Sequence, residues 1–287
     1  MRTLLLSLLL SLLLPAMAGA ADLLVSNGQK IAFLGDSITQ QGWEKPSGYV
    51  NEVISGLASA GVQVTPIPAG VSGNKSNDML ARIQGHVIAK KPDWMTLSCG
   101  VNDVWHGERG VNLEDYKKNI TAILDACKTA GIKVLVLTAT PISEKLDAPA
   151  NLKLAGYNDF LRAIAKERGL PLADLNADMQ AAITAKTKDS PPLTVDGVHM
   201  ANAGNMIMAR GILRAMGLSE AQLATAGEAW LDTPNVVVTQ TVKLNITLRQ
   251  YSAIEHAAAA DGKSVEEWLG VRLHKDLESV IAGVPAK

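Results

Sequence analysis

The chain has 287 residues, of which 47% are apolar, and its formal net charge at pH 7 is −1. This length suits one large domain, or one domain with a small extension. The nearly balanced charge argues against a nucleic-acid binder, because such proteins carry a basic excess that neutralises phosphates.

Residues 1–21 predict a secretory signal peptide. Arg2 precedes an apolar run from Leu4 to Leu14, and small residues that suit signal cleavage follow Pro15. The run is shorter than the stretch of about 20 apolar residues that crosses a bilayer. We therefore expect a secreted or periplasmic protein with no stable membrane anchor.

Strand and helix patterns alternate along residues 22–232, the predicted main domain. Apolar runs predict strands at 30–34, 63–68, 94–99, 132–137 and 170–175, and helical periodicity predicts helices at 113–130, 152–168 and 201–216, each followed by glycine. This alternation predicts a parallel sheet, and right-handed crossovers then give a three-layer α/β/α sandwich. Ligands of such sheets bind beyond the carboxyl ends of the strands.

Residues 233–287 form a predicted C-terminal extension. Alternating residues at 242–248 predict a strand, and helices are predicted at 249–260 and 264–282. This strand-helix-helix order resembles a ribbon-helix-helix fold, which dimerises by pairing its strands. Two interpretations stay open: homodimerisation through the extension, or packing of the extension on the main domain. Basic and acidic side chains balance in this segment, which argues against DNA binding.

The two cysteines are predicted to be free and buried. Cys99 closes a strand, whereas Cys127 lies late in the following helix, which runs back antiparallel to that strand. This places the two residues roughly 20 Å apart at the rise of a helix. A disulfide needs Cα atoms within about 7 Å of each other.

Four short motifs, each following a predicted strand, carry the chemistry. They are Gly35-Asp36-Ser37-Ile38-Thr39, Ser72-Gly73-Asn74, Gly100-Val101-Asn102-Asp103 and Asp196-Gly197-Val198-His199. Their positions agree with the rule that places ligands at the carboxyl ends of parallel strands. We therefore expect the four motifs to form one site.

The first and last motifs contain a nucleophile and its base. Ser37 lies at a strand-to-helix turn, and a serine hydroxyl needs an imidazole within hydrogen-bond reach to become nucleophilic. His199 follows Asp196 by three residues in a loop, so the carboxylate can accept from Nδ1 while Nε2 faces the serine. The alternative role of Ser37 is to cap a helix.

The middle motifs contain candidate donors for an oxyanion. The backbone N–H of Gly73, the side-chain amide of Asn102 and the backbone N–H of Ser37 are predicted to form an oxyanion hole. The alternative for Asn102-Asp103 is an Asx turn after a strand. Trp43, Trp105 and His106 are near enough in sequence to these motifs to line a substrate pocket.

Taken together, the four motifs resemble those of the SGNH (GDSL-type) hydrolase family, over roughly residues 29–216. The resemblance implies a flavodoxin-like α/β/α fold, no metal, and an acyl-enzyme on Ser37. It also implies structural roles for Asp36 and Asp103. One departure is Met200, where the family often has proline after the histidine.

These observations predict an exported serine esterase for a short-chain acyl group, with an acetyl ester of a carbohydrate as the favoured small-molecule substrate. Two alternatives stay open: a lysophospholipase or lipase for long acyl chains, and a non-catalytic glycan-binding relative. Because the sequence has no phosphate-binding loop and no paired-cysteine metal spacing, it predicts no cofactor.

Overall fold

The computed structural model describes residues 23–236 and 243–282, so the predicted signal peptide lies outside the described residues. The chain divides into two compact units, with the boundary between Val236 and Val237. Among the described residues, no helix combines the length and the apolar character needed to cross a membrane.

The first unit is built around a sheet of five parallel strands in the order β2-β1-β3-β4-β5. The strands are β1 (Lys30–Gly35), β2 (Thr65–Gly70), β3 (Trp94–Ser98), β4 (Lys133–Leu137) and β5 (Leu172–Ala173). This order is the flavodoxin-like one, and the chain reverses its direction of winding between β1 and β3. The predicted fold class is therefore confirmed.

Two layers of helices enclose the sheet. The helices of this unit are α1 (Ser37–Glu44), α2 (Tyr49–Ser59), α3 (Ser76–His86), α4 (Val101–Trp105), α5 (Leu113–Thr129), α6 (Pro149–Arg168), α7 (Leu175–Ala185), α8 (Asn202–Ala215) and α9 (Glu220–Leu231). Helix α2 packs on α8 and α9 in one layer, and α5 packs on α3 and α6 in the other. The three predicted helices correspond to α5, α6 and α8. Helix α6 begins earlier than predicted because Pro149 occupies its first turn.

Two predicted strands differ from the structure in extent. Strand β2 continues to Gly70 although it contains Pro66 and Pro68, because it lies at the sheet edge, where proline is tolerated. The fifth strand is only two residues long. It ends there because Asp174 caps α7, with its carboxylate accepting from the Ala177 N–H.

The core lies between the sheet and the helices. Side chains of β1 and β3, among them Phe33 and Leu97, are fully buried. Cys99 and Cys127 are also buried and free, as predicted. Such close packing leaves the loops at the carboxyl ends of the strands resting on a rigid base.

The second unit contains helices α10 (Leu248–Ala260) and α11 (Val265–Ala282), which pack on each other. Both lie where the sequence predicts helices. Within the single chain no strand forms over residues 243–247 of the strand predicted before them; Leu248 belongs to α10, and Val242 lies outside the described residues. Thr247 caps α10 instead, since its side chain accepts from the Gln250 N–H.

Candidate active site

Ser37 lies at the turn between β1 and α1. Asp36 caps the helix, because its Oδ1 accepts from the Ile38 N–H at 2.9 Å. A side chain at Gly35 would overlap Oγ1 of Thr39, so only glycine fits at the end of β1. Since Asp36 provides the cap, the alternative role of Ser37 as the helix cap is excluded.

Asp36 is almost fully buried beneath this turn. Burial raises the pKa of its carboxyl group to about 6, although the hydrogen bond from Ile38 and the nearby His199 lower it part of the way. Its side chain faces the helix backbone, which agrees with the structural role implied for it.

A short hairpin presents the histidine motif. Thr194 and Met200 form an isolated antiparallel bridge, and the Val195 N–H donates to the His199 carbonyl at 2.8 Å. Met200, at the position where the family often has proline, is buried. The hairpin is thus stiffened by backbone hydrogen bonds and by an anchored apolar side chain.

The structure brings Ser37, His199 and Asp196 into one hydrogen-bonded chain. His199 Nε2 lies 2.9 Å from Ser37 Oγ, and Nδ1 lies 2.6 Å from Asp196 Oδ2. Asp196 Oδ1 also accepts from the backbone N–H groups of Val198 and His199, at 2.9 and 2.8 Å. Partial burial raises the pKa of Asp196, but these hydrogen bonds outweigh it and lower the pKa to about 2. The carboxylate is therefore ionised at neutral pH.

Gly73 lies in a turn that follows β2. The Asn74 N–H donates to the Val71 carbonyl at 3.2 Å, and Gly73 has a φ of +76°, which favours glycine. A Cβ at position 73 would contact nothing, so glycine is required here for its dihedral angle and not for space. Within the described residues, the backbone N–H groups of Gly73 and Ser37 have no hydrogen-bond acceptor. Both are free to bind a ligand.

Asn102 lies buried in the first turn of α4. Its Nδ2 donates to the Asn74 carbonyl at 3.1 Å, which links the asparagine motif to the glycine motif. The amide group has a second N–H that this contact leaves available. Asp103 instead binds Ser76, with Oδ1 3.0 Å from the backbone nitrogen and 2.6 Å from Oγ. Among the described hydrogen bonds neither side chain forms an Asx turn, and Asp103 anchors the start of α3.

The three residues predicted to line a substrate pocket lie at different positions relative to the site. The Trp105 ring stands edge-on to His199 with 6.1 Å between ring centroids, and its side chain is 47% exposed. The ring centroids of His106 and Trp105 are 6.1 Å apart, and His106 directly follows Trp105 at the end of α4. Trp43 lies six residues beyond Ser37 on α1, which is about 9 Å along a helix. The structure therefore brings Trp105 to the histidine, whereas Trp43 has no described contact with the three motif side chains.

Three further side chains hold these motifs in place and were not predicted. Gln40 Oε1 accepts from the N–H and the hydroxyl of Ser72, both at 2.8 Å. Arg82 binds the loop around Asn74, and Glu144 binds the base of the hairpin at Thr194. No motif spacing points to them, because each reaches its partner through the three-dimensional arrangement of distant segments.

A cavity of about 910 Å³ lies at the amino-terminal ends of the strands, on the side of the sheet opposite to the carboxyl ends. Its lining includes Trp94 and Lys133, the first residues of β3 and β4. It is therefore far from Ser37, which follows the carboxyl end of β1. Although it is large, this cavity is not part of the candidate active site.

A flavodoxin-like sheet with a serine, a histidine and an aspartate hydrogen-bonded at its carboxyl edge has the architecture of a serine hydrolase. Comparison with known proteins defines the class further. The profile of the GDSL-like Lipase/Acylhydrolase family matches residues 33–207. The chain belongs to this family, and it is an ester hydrolase.

Individual relatives agree with this assignment. An acetylxylan esterase of Geobacillus stearothermophilus is 32% identical over 216 residues, which cover 67% of this chain and 96% of that protein. The esterase TesA of Pseudomonas aeruginosa is 31% identical over 137 residues, covering 48% of this chain and 64% of TesA. The crystal structure of Axe2, an acetylxylan esterase from G. stearothermophilus, aligns with a TM-score of 0.62 and 29% identity, over 68% of this chain and 96% of Axe2.

Proposed function

We propose that this protein is a serine esterase that removes acetyl groups from an acetylated carbohydrate through an acyl-enzyme on Ser37. The observation that carries the proposal is the hydrogen-bonded chain from Ser37 Oγ through His199 to Asp196. The free N–H groups of Ser37 and Gly73 and the buried amide of Asn102 support it, because they lie in the neighbouring loops.

The first half-reaction transfers the acetyl group to the enzyme. Ser37 Oγ attacks the ester carbonyl carbon while His199 Nε2 takes the hydroxyl proton. Asp196 accepts from Nδ1 and stabilises the imidazolium that forms. The carbonyl oxygen becomes an oxyanion, which the three N–H donors bind. When the carbon–oxygen bond to the sugar breaks, Nε2 returns the proton to the departing hydroxyl.

The second half-reaction releases acetate. A water molecule attacks the acetyl-serine carbonyl, and His199 Nε2 takes its proton. The same donors bind the second oxyanion. Collapse of this intermediate breaks the bond to Ser37 Oγ, which recovers its proton from the imidazolium. Ester and water become alcohol and carboxylic acid, with no other reactant.

The substrate class rests on Trp105 and on the relatives. Trp105 is half exposed beside His199, where a sugar ring bearing the acetyl group can stack on it. The relative and the crystal structure from G. stearothermophilus are both named acetylxylan esterase, and TesA is named an esterase. An acetylated xylo-oligosaccharide is accordingly the first carbohydrate to test. The leader-like residues 1–21 support export, so the proposed place of action is outside the cytoplasm.

The test is hydrolysis of a nitrophenyl ester series from acetate to palmitate, and of acetylated xylo-oligosaccharide with acetate release as the readout. The wild type is compared with Ser37→Ala and with Ser59→Ala, a matched serine substitution at the far end of α2. We expect hydrolysis of acetate and of the oligosaccharide by the wild type and Ser59→Ala. Ser37→Ala should lose about 10⁴-fold or more in kcat.

Other outcomes discriminate between the alternatives. Faster hydrolysis of long-chain esters would favour a lipase or lysophospholipase. Equal background rates for the wild type and Ser37→Ala would remove the nucleophile role and favour a glycan-binding relative. Trapping of an acetyl group on Ser37 by rapid acid quench and mass spectrometry would test the acyl-enzyme directly.

A further inference from the structure

The side chain of Arg82 on α3 binds three segments of the candidate active site, although the proposed mechanism does not use it. Nε donates to Asn74 Oδ1 at 2.5 Å, and one terminal nitrogen donates to the Ala69 carbonyl at 2.9 Å. The other terminal nitrogen donates to the Gly35 carbonyl at 2.8 Å. The side chain is half-buried, so these contacts are only partly open to water.

Each acceptor lies in a segment that leads into or out of the proposed oxyanion hole. Gly35 ends β1, two residues before Ser37. Ala69 lies near the end of β2, which leads into the turn that contains Gly73. Asn74 directly follows Gly73, and its carbonyl accepts from Asn102 Nδ2. One guanidinium therefore connects the segments that carry Ser37 and Gly73, and it reaches Asn102 indirectly, through Asn74.

The turn at Gly73 is held separately on its two sides. Gln40 binds Ser72 on the near side, while Arg82 and Asn102 bind Asn74 on the far side. Arg82 suits this position because its planar fork of donors can serve three acceptors at fixed angles. Without it, Gln40 would still hold the turn, but the far side would lose its link to β1 and β2.

We propose that Arg82 is a positioning residue of the oxyanion hole, which keeps the N–H of Gly73 and the amide of Asn102 in place relative to Ser37. This inference rests on the proposed function and deepens it. Oxyanion donors act most strongly in the transition state, so their misplacement lowers kcat more than it changes KM. A role confined to stability would change the melting temperature and leave kcat of the folded enzyme intact.

The experiment measures kcat and KM for nitrophenyl acetate with Arg82→Ala and Arg82→Lys. We expect Arg82→Ala to lower kcat about 10²-fold, comparable with the loss of one oxyanion donor, with KM changed by less than about threefold. Arg82→Lys keeps the charge but not the fork, and should lose about tenfold in kcat. Millimolar guanidinium ion should restore part of the activity of Arg82→Ala.

The matched control is Arg162→Ala. Arg162 is also a half-buried arginine with several partners, and its Nε and one terminal nitrogen bind Asp174 at 2.8 and 3.0 Å. Asp174 caps α7, away from the four motifs. We expect this variant to lose stability while kcat stays within about twofold of the wild type. An equal loss of kcat in Arg162→Ala would overturn the proposal, as would an Arg82→Ala variant with kcat within about threefold of the wild type.

Two further measurements test the role of Arg82 if the first variant or the first substrate fails. If Arg82→Ala does not fold, Arg82→Lys decides, and an unchanged kcat there overturns the inference. If the wild type hydrolyses none of the esters, the readout becomes the rate at which a fluorophosphonate labels Ser37, because its phosphoryl oxygen needs the same donors. Absence of labelling in the wild type would sink the proposed function, and the role of Arg82 with it. Equal labelling of the wild type and Arg82→Lys would overturn only the role of Arg82, while slower labelling of the variant supports it.

Discussion

Glu144 holds Thr194 at the base of the hairpin that carries Asp196 and His199. Its Oε1 accepts from the Thr194 backbone N–H at 3.0 Å and from the Thr194 hydroxyl at 2.8 Å. Its Oε2 binds Lys186 Nζ at 2.5 Å. Burial raises the pKa of Glu144, but these hydrogen bonds and the lysine more than offset it and leave the pKa below its usual value. An ionised carboxylate therefore anchors the hairpin.

Replacing Glu144 with alanine should displace the hairpin and with it His199. Since small misplacements of reacting groups cost up to about 10²-fold, we expect kcat/KM for nitrophenyl acetate to fall between tenfold and hundredfold. The control is Lys186→Met, which removes only a partly exposed ion pair worth about 1 kcal/mol or less. That variant should keep wild-type kcat, and equal losses in both variants would contradict an anchoring role for the contact with Thr194.

Replacing Asp196 with asparagine tests the orientation of the imidazole. Asp196 uses one oxygen for two backbone N–H groups and the other for Nδ1 of His199. An asparagine has only one oxygen, so its NH2 group faces and donates to Nδ1, which favours the wrong tautomer of the imidazole. We expect kcat to fall about 10³- to 10⁴-fold with little change in melting temperature. Asp189→Asn, an exposed aspartate in the preceding loop, is the matched control. A loss of less than about tenfold in Asp196→Asn would show that the imidazole is oriented by another group.

Glu52 should make the stability of the protein depend on pH. Its carboxyl group is buried in α2, its Oε2 has no partner within the described residues, and burial raises its pKa from 4.5 to about 8. Between these two values the unfolded chain releases a proton that the folded chain retains. The contribution of Glu52 to the free energy of unfolding therefore falls as the pH rises from 4.5 to 8 and does not change further above that.

Glu52→Gln removes this titration. Urea denaturation should show the variant to be more stable than the wild type at pH 9, by on the order of a few kcal/mol, with a smaller difference at pH 5. Glu228→Gln, on the exposed side of α9, should follow the wild type at both values. The raised pKa of Asp36 acts in the same direction between pH 3.8 and 6, and it remains in every variant. A difference between Glu52→Gln and the wild type that is equal at both pH values would contradict this account.

Trp105 should affect binding of a carbohydrate more than the chemical step. Loss of an exposed stacking surface costs about 1 kcal/mol, so Trp105→Ala should raise KM for acetylated xylo-oligosaccharide several-fold. Nitrophenyl acetate has no sugar ring, and its kcat/KM should change little. Trp43→Ala, whose ring is also exposed but has no described contact with His199, is the control. If Trp43→Ala alone raised KM for the oligosaccharide, the substrate would lie along α1 instead.

The sequence predicts the layout of the site because its motifs lie in the connections that follow the strands. Ser37, Gly73 and Asn102 each follow a strand that an apolar run marks, and parallel strands bring these connections to one edge of the sheet. His199 lies in the longer connection after β5, beyond α7. The parallel sheet follows from the same alternation, whereas its flavodoxin-like strand order is implied by the family resemblance. These features depend on local patterns that a single chain displays.

The supporting contacts and some boundaries depend on tertiary structure instead. Arg82 reaches Gly35 across 47 residues and Glu144 reaches Thr194 across 50, distances at which no periodicity carries information. Strand β5 is shorter than predicted because Asp174 caps the next helix. The apolar residues on both sides of Asp174 read as one strand in the sequence, so this boundary could not be predicted. In the extension, Thr247 and Gln250 form a capping box that begins α10, so the predicted strand cannot include Leu248.

The C-terminal unit should be separable from catalysis. All motif side chains lie between residues 35 and 199, within the first unit. In the second unit, α11 carries a stripe of apolar side chains, Leu273, Leu277 and Val280, which are 47%, 50% and 63% exposed. A two-helix unit with so little buried apolar surface is marginal on its own, which favours an additional contact such as a second copy.

Deletion of residues 234–287 should therefore leave kcat/KM for nitrophenyl acetate unchanged, and light scattering should show that it converts a dimer into a monomer. The double substitution Leu273→Glu and Leu277→Glu in the full chain should have the same effect on mass. A full-length chain that is already monomeric would remove the dimer and leave packing on the main domain as the role of the extension.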